Sequence, residues 1–507
     1  MQLDPLSIPY RSVERGLQAV VGVAIAGVAG AGSIGGPEGI AVFAVVLLLG
    51  IALSIGWQVA YYRRFEYRIT EDTFDIDSGV LSRRSREIPY GRIQNVDIRQ
   101  NVIQRVLGIA EVRLETAGGG QTEAQLRYVS REDAEYVQEE VSRRKRGENG
   151  GPAAEETATE PGAKLFELTG HELLILGVVS MDLRLLSLLA VPLSIVGPSV
   201  FADVAPAGAT IAFFVVGALA LVVGSAVVSG ALSMARYYGF VLTDRPEEYR
   251  YERGLLQRFS GSIPKDKVQT ITLTENVIAR LLGYASLSIE TAGYAGANGN
   301  AGSSSQSAIP IAERDRAVDL AGRMEDFQGL SFERPPKRAR ERYIVRYGIV
   351  LAVLIAIAYG IVRFTALSFP WYALLAGVPL VPVAAHLKWT HRGYRLEDDH
   401  VITRNGFWSR RITVIPTYRI QTLVTSETVF QRRRDLATLV VDTAGTYSLM
   451  GDDAKAVDID VAAAERLREE LEGDLQEAIV EYRRQRRESD QLVGRDDIHT
   501  PERISDG

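Results

Sequence analysis

Apolar residues arrive along this chain in blocks. Six runs, over residues 17–35, 39–60, 183–201, 209–232, 343–363 and 371–388, are each close to the length a helix needs to cross a bilayer, roughly 20 residues. They fall into pairs joined by short connections rich in Gly, Pro or Ala: Gly35-Gly36-Pro37-Glu38, Ala202 to Gly208, and Phe364 to Pro370. The pattern predicts three two-helix transmembrane hairpins. Each pair gives way to a polar stretch in which short runs alternate, such as Tyr67 to Thr70, Phe74 to Asp77 and Arg86 to Ile88. That period of two predicts strands.

The three polar stretches repeat one another without a gap. The copies run from Gly79 to Gly118, Gly254 to Gly293 and Gly406 to Gly445. Each contains an aliphatic-Pro step (Ile88-Pro89, Ile263-Pro264, Ile415-Pro416) and, five residues after the Pro, an aliphatic-Gln pair (Ile93-Gln94, Val268-Gln269, Ile420-Gln421). An Arg follows at a fixed offset (Arg105, Arg280, Arg432), and each copy closes on Glu-Thr-Ala-Gly or, in the third, Asp442-Thr443-Ala444-Gly445. The chain is a tandem array, and its function is one that repetition serves. Within each copy the opening Gly predicts a turn with positive φ. Val96-Asp97-Ile98, Ile271-Thr272-Leu273 and Leu423-Val424-Thr425 predict a further strand. A helical turn (Val102 to Leu107, Val277 to Leu282) is stopped by Gly108 or Gly283. In the third copy Arg434-Asp435 replaces Leu-Gly, so its turn is expected to end differently. The second copy replaces a short hairpin with the loop 294–308.

An amphipathic helix closes each copy. Ser130 and Asp133 form a capping pair ahead of Ala134, Val137 and Val141; Ala317, Leu320, Ala321 and Met324 make the second stripe; Ala464, Leu467, Leu471, Leu475 and Ile479 make the third. The fold class expected is therefore α+β with transmembrane helices: three small antiparallel sheets or barrels, each closed by a C-terminal helix and preceded by a hairpin. The boundaries are 1–60 for the first hairpin, 61–146 for the first domain, and 147–163 for an acidic linker. Residues 164–234 hold an interfacial segment (168–181) and the second hairpin, 235–330 the second domain. Residues 331–390 hold the third hairpin, 391–486 the third domain, and 487–507 a disordered tail.

Charge gives orientation. The hairpin turns carry essentially no Lys or Arg apart from Arg363 at an edge, whereas Arg63, Arg64, Arg236, Lys337, Arg338, Arg340, Arg342, Lys388 and Arg392 flank the other ends. This places both termini and all three repeats on the cytoplasmic side of a cell membrane. Trp57, Trp371, Trp389 and neighbouring Tyr side chains fit an interfacial belt. The chain holds no Cys, which excludes disulfides and thiolate chemistry, and its net charge of −6 argues against nucleic acid as a partner.

The aliphatic-Pro, aliphatic-Gln, Leu-Gly and E-T-A-G motifs resemble the bacterial pleckstrin-homology-like domain (bPH2), and three copies each behind a hairpin resemble the YdbT-like membrane proteins. The resemblance covers nearly all of the chain outside the linker and tail. It implies the fold above but no biochemical activity, and it suggests as partner a single-domain YdbS-like membrane protein.

No catalytic or metal constellation stands out. The five His (His171, His386, His391, His400, His499) are scattered, and there is neither a P-loop nor a nucleophile elbow. The recurring acids (Glu115, Glu290, Asp442) and Gln residues (Gln94, Gln269, Gln421) are expected to serve the turn and strand architecture. The candidate lipid- or partner-binding residues are basic: Arg83, Arg84, Arg92, Arg99 and Arg105; Lys265, Lys267 and Arg280; Arg410, Arg411, Arg419 and Arg432. A basic side chain beside an anionic leaflet contributes about 1 kcal/mol. Ionisable groups are nearly absent at mid-span, while Gly22, Ala26, Gly30, Gly217, Gly224 and Gly230 suit close helix packing. The reading is a non-enzymatic scaffold without cofactors that binds partners or anionic lipid and associates with itself; the alternative is a component of a transport or export system.

Overall fold

The computed structural model describes residues 1–14, 37–116, 124–145, 162–181, 207–292, 305–327, 329–364, 370–397, 399–444 and 454–473. The first and third apolar runs, most of the acidic linker, the centre of the 294–308 loop, Leu475, Ile479 and the tail lie outside them. The chain divides into two compact units, one over Met1–Lys267 and the other beginning at Val268, so the division falls inside the second repeat.

In the first unit, β1 (Glu66–Ile69), β2 (Thr73–Ser78) and β3 (Arg84–Pro89) form an antiparallel sheet, and β4 (Ile93–Asn101), β5 (Ile109–Thr116) and β6 (Ala124–Ser130) begin a second. Both sheets share one core with the helix Arg131–Lys145: Tyr67, Phe74, Ile93, Leu114, Leu126, Val137 and Val141 are all buried together. The Ser130 hydroxyl accepts the Asp133 amide at 3.0 Å, which satisfies one of the donors that a helix start leaves open. Pro89, unable to donate, ends β3, and a single 3-10 turn (Tyr90–Arg92) carries the chain to the second sheet.

The second sheet does not stop at the repeat. It has seven strands in the order β6-β5-β4-β10-β9-β8-β7, taking in β7 (Ala163–Glu167), β8 (Val241–Asp244), β9 (Glu248–Arg253) and β10 (Gln257–Pro264). In the second unit, β11 (Val268–Asn276), β12 (Tyr284–Thr291) and β13 (Ser305–Glu313) continue in the same way into β16 (Ser409–Pro416), β15 (His400–Asn405) and β14 (Gly393–Leu396). A last sheet, β17 (Ile420–Ser426), β18 (Leu436–Thr443) and β19 (Ala454–Asp460), packs on Ala464, Leu467 and Leu471 of a helix over residues 461–473. The expectation of three self-contained sheets is thus corrected. Neighbouring repeats hydrogen-bond edge to edge, and the register is the same at both joints: Gln257 faces Asn101, and Ser409 faces Asn276.

The recurring residues have architectural reasons. Gly79, Gly254 and Gly406 have φ of +112°, +110° and +92°, and a Cβ at Gly254 would lie 1.8 Å from the Gln257 carbonyl oxygen. Gln94, Gln269 and Gln421 each fall where the register slips against the next strand, making them the bulge residues of β4, β11 and β17. The recurring acid lies across from the residue that follows each bulge: Glu115 from Asn95, Glu290 from Thr270, Asp442 from Thr422.

The third helical turn does end earlier, spanning Val429–Arg432 against Val277–Leu282 in the second copy, but its exit keeps the same left-handed position. Asp435, standing where Gly108 and Gly283 stand, takes φ of 51° against their 70° and 77°. Asp is among the few residues that tolerate this region, because its short polar side chain bonds locally. Asp435→Gly is expected to raise stability by about 1 kcal/mol, seen as a higher midpoint on thermal unfolding of the solubilised chain.

Long helices precede the repeats: Pro37–Arg64, Ala207–Tyr237 and Lys337–Phe364. Among the described residues Lys337–Phe364 is long and apolar enough to cross a membrane. The 371–388 run, expected as one span, is a 3-10 segment (Trp371–Gly377) and a helix (Leu380–Thr390) bent by 41°. Pro379 and Pro382 at the break remove amide donors and obstruct the preceding turn. Residues 168–181 hold a capped helix, Gly170–Val179, with Thr169 and Glu172 bonded reciprocally. It meets Ala207–Tyr237 where Gly177 and Gly230 touch: a Cβ on Gly230 would lie 2.6 Å from the Gly177 carbonyl oxygen. Gly217 and Gly224, expected to share that role, have no neighbour within 4 Å of a Cβ among the described residues.

Candidate interaction surfaces

In every repeat, the hairpin tip opened by the recurring Gly rests at the foot of the helix before it. Arg64 donates to the Val80 carbonyl at 2.5 Å. The amides of Gly254 and Leu255 donate to the carbonyls of Tyr238 and Ala235, both at 2.8 Å. In the third repeat the His391 ring, following Leu380–Thr390, meets Phe407 edge-on at 5.2 Å. One residue beyond, each tip holds a large apolar side chain in the open: Leu81 at 88% exposure, Leu256 at 52% and Trp408 at 78%. The helical turn of the preceding repeat carries more of them, Ile103 and Val106 in the first unit, Ile278 and Leu281 in the second. Arg105 donates to the Leu255 carbonyl at 2.6 Å, and Arg280 to the Phe407 carbonyl at 3.1 Å, so the recurring Arg fastens turn to tip. Apolar side chains and guanidinium groups thus stand together where each tip meets the helix before it.

The joints between repeats hold buried charge. Glu275, 1% exposed, accepts Arg410 Nε at 2.6 Å and Arg314 Nε at 3.0 Å. At the other joint, Asp97 lies beneath β10, where a Cβ on Gly261 would meet its carboxylate at 2.7 Å. Burial pushes the Asp97 carboxyl up, against the pull of Arg99 and the Asn95 amide. Arg404 is brought down to about 10 by burial and by the neighbouring Arg410, Arg334 and Arg314.

A third cluster ties helices to the last repeat. Asp458 is fully buried, with φ of 61°. Its carboxylate accepts Arg342 Nη1 at 2.7 Å, Arg392 Nη1 at 2.8 Å and Gln431 Nε2 at 2.8 Å, together with the Tyr343 hydroxyl. Arg342 and Tyr343 begin the long helix Lys337–Phe364, and Arg392 follows Leu380–Thr390. Both helices are therefore keyed to β19 by one carboxylate. Tyr128, at the matching bulge of β6, instead donates to Glu14 at 3.1 Å. Sequence reasoning passed over Asp458, which belongs to no motif.

The twelve basic candidates separate by position. Arg99, Arg105, Arg280, Arg410 and Arg411 lie at the joints between repeats, where Arg99 pairs with Asp97 at 3.6 Å and covers the Phe259 ring. Lys265 pairs with Asp244 at 2.7 Å and Lys267 with Asp266 at 3.3 Å. Arg419 stacks over Tyr418, and Arg92 is exposed on the turn between sheets. Arg83, Arg84 and Arg432 are exposed at the two ends of the series. Among the described residues no group of three His, Asp or Glu converges as a metal site.

The family model described as "Bacterial PH domain" matches residues 20–145, 186–328 and 344–475, one match per repeat. The chain belongs to the bacterial PH domain family. It is also similar to the UPF0699 transmembrane protein YdbT of Bacillus subtilis, 25% identical over 419 residues, 76% of this chain and 83% of that one. No solved structure matches. The repeat arithmetic, the bulged Gln and the shared sheets are thus properties of a bacterial PH domain array in a chain resembling a transmembrane protein.

Proposed function

We propose that this chain is a non-enzymatic, multi-pass membrane protein that holds three PH domains against the cytoplasmic leaflet as a scaffold. Each apolar pair forms a transmembrane hairpin, and each domain rests its tip in the headgroup region. There Leu81, Leu256 and Trp408 enter the acyl boundary, and exposed Arg side chains such as Arg83, Arg92 and Arg432 meet anionic lipid. The observation that carries this reading is the placement of an exposed apolar side chain at the foot of the preceding helix in all three copies. Scattered apolar residues need no explanation, but a position repeated three times does. The partner class favoured is a membrane protein of the same family, including one with a single domain, and repetition multiplies weak contacts into avidity.

The test uses full-length protein in vesicles containing anionic lipid brominated near the headgroup, with Trp57, Trp371 and Trp389 replaced by Phe. Trp408 fluorescence is expected to be quenched strongly, and unquenched emission would overturn the reading. Orientation is checked on the same cysteine-free background. A single Cys at Arg92 or Arg419 is expected to resist an impermeant maleimide outside sealed cells, and one at Pro206 to react.

A further inference from the structure

Every repeat has the same two docking edges, and among the described residues all but two of them are paired. The edge opened by the first sheet of a repeat is β3, β10 or β16; the edge opened by the second is β4, β11 or β17. Inside the chain β4 pairs with β10 and β11 with β16. Among the described residues β3 has no strand beyond β2, and β17 none beyond β18. The two leftover edges are of the two kinds that the internal joints bring together.

We propose that β17 of one copy of this chain pairs antiparallel with β3 of a second copy, in the register of the internal joints, so that the array continues from molecule to molecule. The proposal rests on the scaffold reading and names the surface by which the scaffold grows. Carrying the register across sets Thr425 opposite Ser85, Ser426 opposite Arg84 and Glu427 opposite Arg83. Glu427 and Arg83 then occupy the positions of Glu275 and Arg410, the buried ion pair of the second internal joint. Both are exposed and, among the described residues, neither has an ion-pair partner. Arg432 likewise stands where Arg105 and Arg280 stand, and its counterpart carbonyl is that of Val80 in the second copy.

Charge on β3 resembles the device by which proteins blunt an open edge. Here it does not prevent pairing, because Arg258 and Arg410 occupy the same position as Arg83 on edges that are paired. Main-chain hydrogen bonds would supply affinity and the Glu-Arg pair the register. Joining unlike edges is a heterologous contact, which yields rings or open chains of molecules rather than closed two-fold dimers.

The absence of Cys from the chain makes the test direct. Two differently tagged full-length copies are expressed together in native membranes, one carrying Ser85→Cys and the other Thr425→Cys. Facing residues in an antiparallel pair lie about 4.5–5.5 Å apart at Cα, within disulfide reach. Oxidation is expected to join the two tags, whereas Ser85→Cys with Thr422→Cys, displaced by about 10 Å along the strand, gives no product. Arg83→Glu alone or Glu427→Arg alone is expected to lower the yield about tenfold, and the two together to restore it. Equal yields from both cysteine pairs, or a product only when both cysteines share one chain, would overturn the proposal. So would absence of product while Trp408 quenching persists, which would leave the scaffold reading standing; loss of the quenching itself marks failure of that reading instead.

Discussion

Asp458→Ala is expected to destabilise the third repeat by about 3–5 kcal/mol and to free it from its helices. The carboxylate is fully buried and holds two guanidinium groups that are themselves largely covered, at 15% and 17% side-chain exposure. Removing it leaves Arg342 and Arg392 as neighbouring cations with no counter-ion, and stranding buried charge costs far more than an exposed salt bridge contributes. Ala adds strain of roughly 1–2 kcal/mol at a φ of 61°. Asp458→Gly removes that strain while keeping the charge defect, so the difference between Ala and Gly isolates the backbone share. Hydrogen exchange is the readout that separates local from general loss. Protection is expected to fall first in β19 and at the start of Lys337–Phe364, with β4 to β6 unchanged. Combining Asp458→Ala with Arg342→Met and Arg392→Met is expected to recover part of the loss, because an apolar cluster has no charge to desolvate. A triple variant no better than Asp458→Ala would deny the carboxylate its role as counter-ion.

This cluster also marks where sequence legibility ended. The array could be read because gap-free spacing exposes features that each copy must satisfy locally: a positive-φ Gly, a strand-ending Pro, a helical turn and an amphipathic stripe. The helical turn Val277–Leu282 and the Ser130 cap are where the periodicities put them. Asp458 obeys no repeat, since its counterpart is Tyr128 in the first copy, and its donors come from 27 to 116 residues away. The shared sheets were hidden for a different reason. Alternation along a strand records which face is buried, not which edge is occupied. Nothing in Ile93–Asn101 announces that its second neighbour is Gln257–Pro264, more than 150 residues on. Strand β7 was missed because five residues beside an acidic linker carry too little pattern, although Phe166 is 1% exposed. The Arg candidates show the same limit of local reading: charge density singled out Arg280 and Arg410, but only the folded chain shows that the first grips the neighbouring tip and the second Glu275.

The joint at Glu275 is where the array can be cut by one substitution. Glu275→Ala is expected to cost about 3–5 kcal/mol, the penalty for stranding buried cations, since Arg410 is 16% exposed at its side chain and Arg314 38%. The two Arg differ in their escape. Arg314, at the start of Arg314–Met324, can turn toward solvent and toward Asp315, 3.6 Å away. Arg410 sits in β16 facing Glu275 across the ladder, with Arg280 and Arg404 already close enough to be disfavoured by its charge. Arg410→Met in the Glu275→Ala background should therefore restore most of the stability, and Arg314→Met little. Loss of pairing between β11 and β16 would appear as faster amide exchange in 271–276 and 409–414, while the exchange of β4 against β10, whose matching residues are Gln100 and Arg258, stays as it was. If Glu275→Ala loosened both joints equally, or neither, the joints would not be independent modules held by their own cross-strand chemistry. The same two residue types, as Glu427 and Arg83, stand at the matching positions beside β17 and β3.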